Sequence, residues 1–131
     1  MHARAFHHVG IACVEVDADE RLFAALGYHR ERADVTDPLQ NVWARFMVGG
    51  GPRIELLGDL RGAAIVQSAQ KGRRLHHLAY EVDDLDITSS EFRDLGAKEV
   101  AARRPGVAFD MRDICFWMLP NMMLIELISK R

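Results

Sequence analysis

The sequence predicts an α+β fold: two tandem βαβββ modules whose strands form a curved mixed sheet around a cleft. Three observations predict it. The stretch Phe6-His7-His8-Val9-Gly10-Ile11-Ala12 returns as Leu75-His76-His77-Leu78-Ala79-Tyr80-Glu81. A shift of 77 − 8 = 69 positions then carries Asp17 onto Asp86, Phe23 onto Phe92, Leu26 onto Leu95 and Gly27 onto Gly96 without a gap. The closing stretches also repeat, Ile54-Glu55-Leu56-Leu57 matching Ile125-Glu126-Leu127-Ile128. Each copy alone is marginal in size, so the two are expected to share one core as a single domain over 1–131, whereas stacked arrays need about three or more shorter repeats. Module one covers about 5–58, a connecting helix about 59–73 and module two about 74–131.

The elements follow in order. Phe6 to Val14 is a β-rich run, and Asp17 with Glu20 three residues later has the spacing of a capping box. Leu22, Phe23 and Leu26 recur at helical spacing and Gly27 supplies the stop. Tyr28 to Ala33 reads as a strand, Asp37-Pro38 as a turn and Val42 to Val48 as a strand. Gly49-Gly50-Gly51-Pro52 then turns the chain into a strand over Arg53 to Leu57. Ile65, Val66 and Ala69 place a helix in the connection, ending at Gly72. Module two repeats the order: a strand over 75–82, a helix over about 85–95 stopped by Gly96, and a strand near Lys98–Ala101. A loop at Pro105-Gly106, a strand over about 113–119, a turn at Pro120-Asn121 and a strand over 122–128 complete it.

Composition excludes some partners. A formal net charge of −2 gives no electrostatic reason to expect nucleic acid or an anionic membrane. No apolar run approaches the roughly 18 residues of a membrane helix, and no leader-like apolar segment opens the chain. Cys13 and Cys115 both lie in apolar runs, which suits reduced core thiols and a cytoplasmic protein more than a disulfide framework.

Strand alternation puts His8, Gly10 and Ala12 on one face and His7, Val9 and Ile11 on the other. In the second copy His77, Ala79 and Glu81 oppose His76, Leu78 and Tyr80. The larger apolar residues accompany the first histidine of each pair, as a helix-covered face requires, so His8 and His77 are expected in the cleft. Glu55 and Glu126 sit inside apolar strands, where an unpaired carboxylate would be costly. Each module thus offers one histidine and one glutamate, and the repeat is expected to bring the four together. Two imidazoles and two carboxylates suit a borderline divalent ion such as Ni, Co, Zn or Mn, or Fe. A lone strand histidine or glutamate is ordinarily structural; the same pair in register twice is what argues otherwise. Arg45, Arg103, Arg104 and Arg112 read as solvated charges, although arginine also suits a substrate carboxylate or phosphate. Gly49-Gly50-Gly51 lacks the lysine and helix start of a phosphate-binding loop.

These motifs resemble the vicinal-oxygen-chelate superfamily, also called the glyoxalase/bleomycin-resistance fold, over essentially the whole chain. The carrying residues are His8 to Ala12, Leu26-Gly27-Tyr28, Arg53 to Leu56, His77 to Asp84 and Leu124 to Leu127. The resemblance implies a cleft with a divalent ion held by His8, Glu55, His77 and Glu126, a set similar to that of glyoxalase I. Within the superfamily, Asp37 to Val42 and Arg53 to Leu57 look most like small bacterial proteins of the glyoxalase I and methylmalonyl-CoA epimerase types. The implied activity is proton transfer beside a carbonyl, with Glu126 and Glu55 catalytic and a small thioester or hemithioacetal as substrate. The assembly implied is a homodimer. The first expectation is glyoxalase I, converting the hemithioacetal of glutathione and a 2-oxoaldehyde to an S-2-hydroxyacylglutathione. The alternative is methylmalonyl-CoA epimerase, whose additional glutamate base falls at Ala44 here, so that a two-base mechanism lacks one base. A metal-free ligand-binding or resistance protein and an iron-dependent dioxygenase are the remaining alternatives. The four ligands argue against the former, and a fourth ligand at Glu55 against the latter.

Overall fold

Each strand-and-helix repeat becomes a helix laid on one face of a sheet. The computed structural model describes residues 3–130, so Arg131, read above as the end of module two, lies outside the described residues. The chain runs β1 (Arg4–Ala12), α1 (Val16–Ala24), β2 (His29–Arg30), β3 (Val35–Asp37), β4 (Val42–Val48), β5 (Ile54–Asp59), α2 (Ala64–Gln70), β6 (Leu75–Val82), α3 (Leu85–Asp94), β7 (Lys98–Gly106), β8 (Arg112–Met118) and β9 (Leu124–Ser129). A single 3-10 turn, Val107–Phe109, follows β7. The strands run β2-β4-β5-β1, with β3 also on β4, in one part of the mixed sheet and β6-β9-β8-β7 in the other. By chain contacts they divide into two compact units, His8–His76 and residues 3–7 with 77–130.

In the first unit β1 runs parallel to β5 with Gly10 opposite Glu55, and β4 runs antiparallel to β5 with Phe46 opposite Glu55. One face of this sheet packs Cys13, Tyr28, Met47, Ile54 and Leu56 against Val16 and Phe23 of the α1 segment. The other face carries His8, Gly10, Ala44, Phe46, Glu55 and Leu57, and α2 covers its far end by laying Ile65 and Ala69 on Ala12 and Leu57. The second unit repeats the plan: β6 parallel to β9 with Ala79 opposite Glu126, and β8 antiparallel to β9 with Phe116 opposite Glu126. Its helix-covered core is Val82, Leu85, Ala97, Cys115, Trp117, Ile125 and Leu127, with Phe92 of α3 packed against it. Gly27 and Gly96 end α1 and α3 at φ of 99° and 87°, a backbone that favours glycine.

Four local readings of the sequence change. The cap of α1 is Glu15, whose carboxylate accepts from the Asp17 and Ala18 amides, while Asp17 and Glu20 turn to Arg45 instead. Of the strand expected over Tyr28–Ala33 only His29–Arg30 forms, and a second short piece, Val35–Asp37, follows on the same edge of β4; between them Asp34 accepts from Arg45 Nε and Nη2, both at 2.9 Å. Arg45 is therefore not a solvated charge; it is 6% exposed and held by three carboxylates. Finally β7 continues through Pro105 to Gly106, because irregularities in its pairing with β8 let an edge strand absorb the proline.

Candidate metal centre

Within the first unit, β1 and β5 bring His8 and Glu55 side by side. His8 Nε2 lies 3.1 Å from Glu55 Oε1, and the two residues are 0% and 7% exposed. Within the second, β6 and β9 do the same: His77 Nε2 lies 3.2 Å from Glu126 Oε1, at 3% and 2% exposure. Parallel pairing is the local cause, since it places each glutamate opposite the residue two positions beyond its histidine, Gly10 in one copy and Ala79 in the other. Those partners have no side chain or only a methyl, so nothing bulky separates the pair.

An aromatic edge completes each pair. The Phe46 ring stands edge-on to His8 with centroids 5.3 Å apart, and Phe116 stands the same way to His77 at 5.7 Å. Each phenylalanine is the register partner of its unit's glutamate. Sequence reading missed Phe46 as a site residue, although the repeat relates it to Phe116. The signal was present, because both fall in the repeat one strand before the Ile-Glu-Leu stretch. Arg32 adds a guanidinium 4.7 Å above the Phe46 ring.

The donor set fits a divalent ion. Two ligands at right angles on bonds of about 2.1 Å stand about 3.0 Å apart, close to both histidine–glutamate separations. Each unit thus offers one imidazole nitrogen and one carboxylate oxygen, and His8, Glu55, His77 and Glu126 are residues that could hold a metal ion. A buried carboxylate is costly unless a positive charge neutralises it.

His7, the first histidine of the first pair, meets the Phe109 ring edge-on at 5.3 Å in the second unit. There it also helps to lower the Glu81 pKa, after the larger effect of the hydrogen bond from Arg112. Two grooves, of about 380 and 540 Å³, lie on the helix-covered faces of the two units, opposite the faces that carry the histidine–glutamate pairs. Ala44, where an additional base would fall, is on the face of Glu55 and only 3% exposed. Both cysteines are buried free thiols, and burial with Asp19 alongside pushes Cys13 up to about 12.

Comparison with known proteins agrees with this architecture. A hypothetical protein from Bacillus halodurans C-125 matches in fold at TM-score 0.79 and 23% identity, over 98% of this chain and 96% of that one. Methylmalonyl-CoA epimerase from Mycobacterium tuberculosis matches at TM-score 0.78 and 26% identity, over 97% and 88%. A variant of Streptomyces coelicolor methylmalonyl-CoA epimerase, in complex with 2-nitronate-propionyl-CoA, matches at 0.76 and 25%, over 95% and 96%. No curated protein sequence matches. The model of the Glyoxalase/Bleomycin resistance protein/Dioxygenase superfamily matches residues 7–116, and the chain belongs to that family.

Proposed function

We propose that the protein is a divalent-metal-dependent isomerase that moves a proton beside the carbonyl of a CoA thioester. The observation that carries this reading is the buried His8–Glu55 pair repeated as His77–Glu126, four residues that could hold a metal ion. Likeness to two methylmalonyl-CoA epimerases favours the thioester over the glutathione hemithioacetal. His8, Glu55, His77 and Glu126 would hold the ion. When bound, it supplies a Lewis acid beside the substrate carbonyl.

The chain's own residues do the rest. Inversion needs a carboxylate that accepts the α-proton on one face and another that returns it on the other. With alanine at position 44, the carboxylates left for these roles are Glu126 and Glu55, one from each unit. The buried strands around them exclude water and keep each carboxylate oriented by its neighbouring imidazole. Phe46 and Phe116 hold those imidazole rings from the side. A cytoplasmic location and a homodimer belong to the same reading.

The test is the metal-loaded protein in deuterium oxide with methylmalonyl-CoA. Exchange of the α-proton with inversion is expected, and Glu126→Gln should remove most of it while metal remains bound. Glyoxalase I is the second reading, favoured by Ala44, because it needs no further base. Conversion of the methylglyoxal–glutathione hemithioacetal, with no exchange into methylmalonyl-CoA, would establish it and sink the thioester reading.

A further inference from the structure

The two repeats each lay a helix on a sheet, yet the two helices differ on one exposed side. Val16 and Phe23 of α1 pack on the core, and Asp19 between them is buried. On a second side of α1 and the turn that ends it, Ala18, Leu22, Ala25 and Leu26 fall at i, i+4, i+7 and i+8, an additional apolar stripe. This one faces solvent: Leu22 is 68% exposed and Leu26 67%. The shift of 69 positions carries the stripe onto Ile87, Glu91, Asp94 and Leu95 of the second repeat, where charges replace Leu22 and Ala25. There Glu91 pairs with Arg4, which lines the second unit's groove.

The second repeat thus serves as an internal control. Its helix forms on the same plan with an ion pair where the first has Leu22, so the fold does not require a leucine there. A contiguous exposed apolar patch marks a surface that something covers. The 540 Å³ groove extends the patch, with Val9, Ile11 and Leu75 beside Leu22, Phe23 and Leu26. Its charged lining residues, Asp19 and Arg74, neutralise each other at 2.7 Å. A protruding stripe next to a receiving groove, with no net charge in the groove, is a surface complementary to itself. That is what a two-fold contact between identical chains requires. Ala18 and Ala25, on either side of Leu22, let two helices approach closely.

We propose that a second copy of the chain docks on this side of α1 and its groove, α1 against α1 in antiparallel sense, with the two-fold axis at Leu22, the middle of the stripe. This rests on the homodimer of the reading above and assigns its contact surface to the first repeat alone. The groove lies on the face of the sheet opposite His8 and Glu55, so docking there does not cover them.

Sedimentation velocity over a concentration series should show wild type as a dimer. Leu22→Glu, which installs the residue that α3 carries at the equivalent position, should raise the dimer dissociation constant about 100-fold or more, because each dimer buries residue 22 twice. Leu95→Glu should leave it unchanged. Circular dichroism checks that Leu22→Glu is folded; if it is not, Leu22→Cys and Leu95→Cys decide in its place. Cys13 and Cys115 are buried, so a short bismaleimide should join two chains of Leu22→Cys and not of Leu95→Cys. A dimer that tolerates Leu22→Glu, a Leu22→Cys variant that does not cross-link, or cross-linking equal at both positions overturns this surface and leaves the homodimer standing. A wild type that is monomeric at tens of micromolar overturns both, and the α-proton exchange described above tests the enzyme reading independently of either.

Discussion

Arg45 shows how a residue with an ordinary surface reading becomes structural. Its side chain is 7% exposed and reaches Asp34, Asp17 and Glu20, which ties α1 and the broken edge strand to β4. The hydrogen bond from Arg45 holds the Asp34 carboxyl below its ordinary range, and Arg30 with Arg45 does the same to Glu20. Arg45→Met should cost roughly 1–3 kcal/mol, less than a fully buried pair because Asp17 and Asp34 reach solvent. Both carboxyl pKa values are depressed in the folded state, so their stabilisation is present above the unfolded values near 4 and is lost as pH falls through the folded ones. The gap between wild type and Arg45→Met, measured by chemical denaturation, should therefore be widest near neutral pH and close below about pH 4. A gap independent of pH would mean that the network contributes only packing. None of this was legible in the sequence, because the three carboxylates lie 11 to 28 residues from Arg45 and no local rule links them. The metal-ligand candidates were legible for the opposite reason: repetition exposes a pair that a single copy would hide.

At the scale of elements, what sequence reveals depends on whether the signal is local. Val42–Val48 emerges with the bounds read from the sequence, and the glycine stops after α1 and α3 stand where expected, since a positive φ is a property of one residue. The split of the edge strand and the extension of β7 were not readable, because each is decided by pairing with another strand, and Asp17 and Glu20 are turned away from the cap by Arg45, a partner distant in sequence. The hairpin between β4 and β5 gives a test of a local device. Tyr28 donates its hydroxyl to the Pro52 carbonyl at 2.6 Å, and its ring lies over Gly50 so closely that an added Cβ would come within 2.3 Å of it. Gly50→Ala should displace the ring and break that bond, lowering stability by about 1–3 kcal/mol, seen as a lower melting temperature. Tyr28→Phe should cost about 0.5–1.5 kcal/mol through the hydrogen bond alone. If Gly50→Ala in a Tyr28→Ala background still costs its full amount, contact with Tyr28 is not the cause.

For the whole molecule, the repeat makes a prediction that neither copy makes alone. If His8–Glu55 and His77–Glu126 serve one ion, His8→Ala and His77→Ala should each abolish tight binding, because either removes one ligand from the same set. Two independent half-sites would instead leave the untouched pair able to bind, and titration would show half the metal remaining. His7→Ala and His76→Ala, which change the neighbouring histidine of each pair, should leave the stoichiometry at about one ion per chain. Metal that binds the folded protein also stabilises it, by about 2.7 kcal/mol at a free concentration one hundred times Kd. Chelation should therefore lower the melting temperature of wild type and leave both ligand variants unmoved. Protons compete with the ion for the imidazoles, so the stabilisation should fade as pH drops through the histidine range. Melting curves with and without chelator across that range decide the matter. Equal curves for wild type at every pH would mean that the buried histidine–glutamate pairs are hydrogen-bonded structure and not a metal centre.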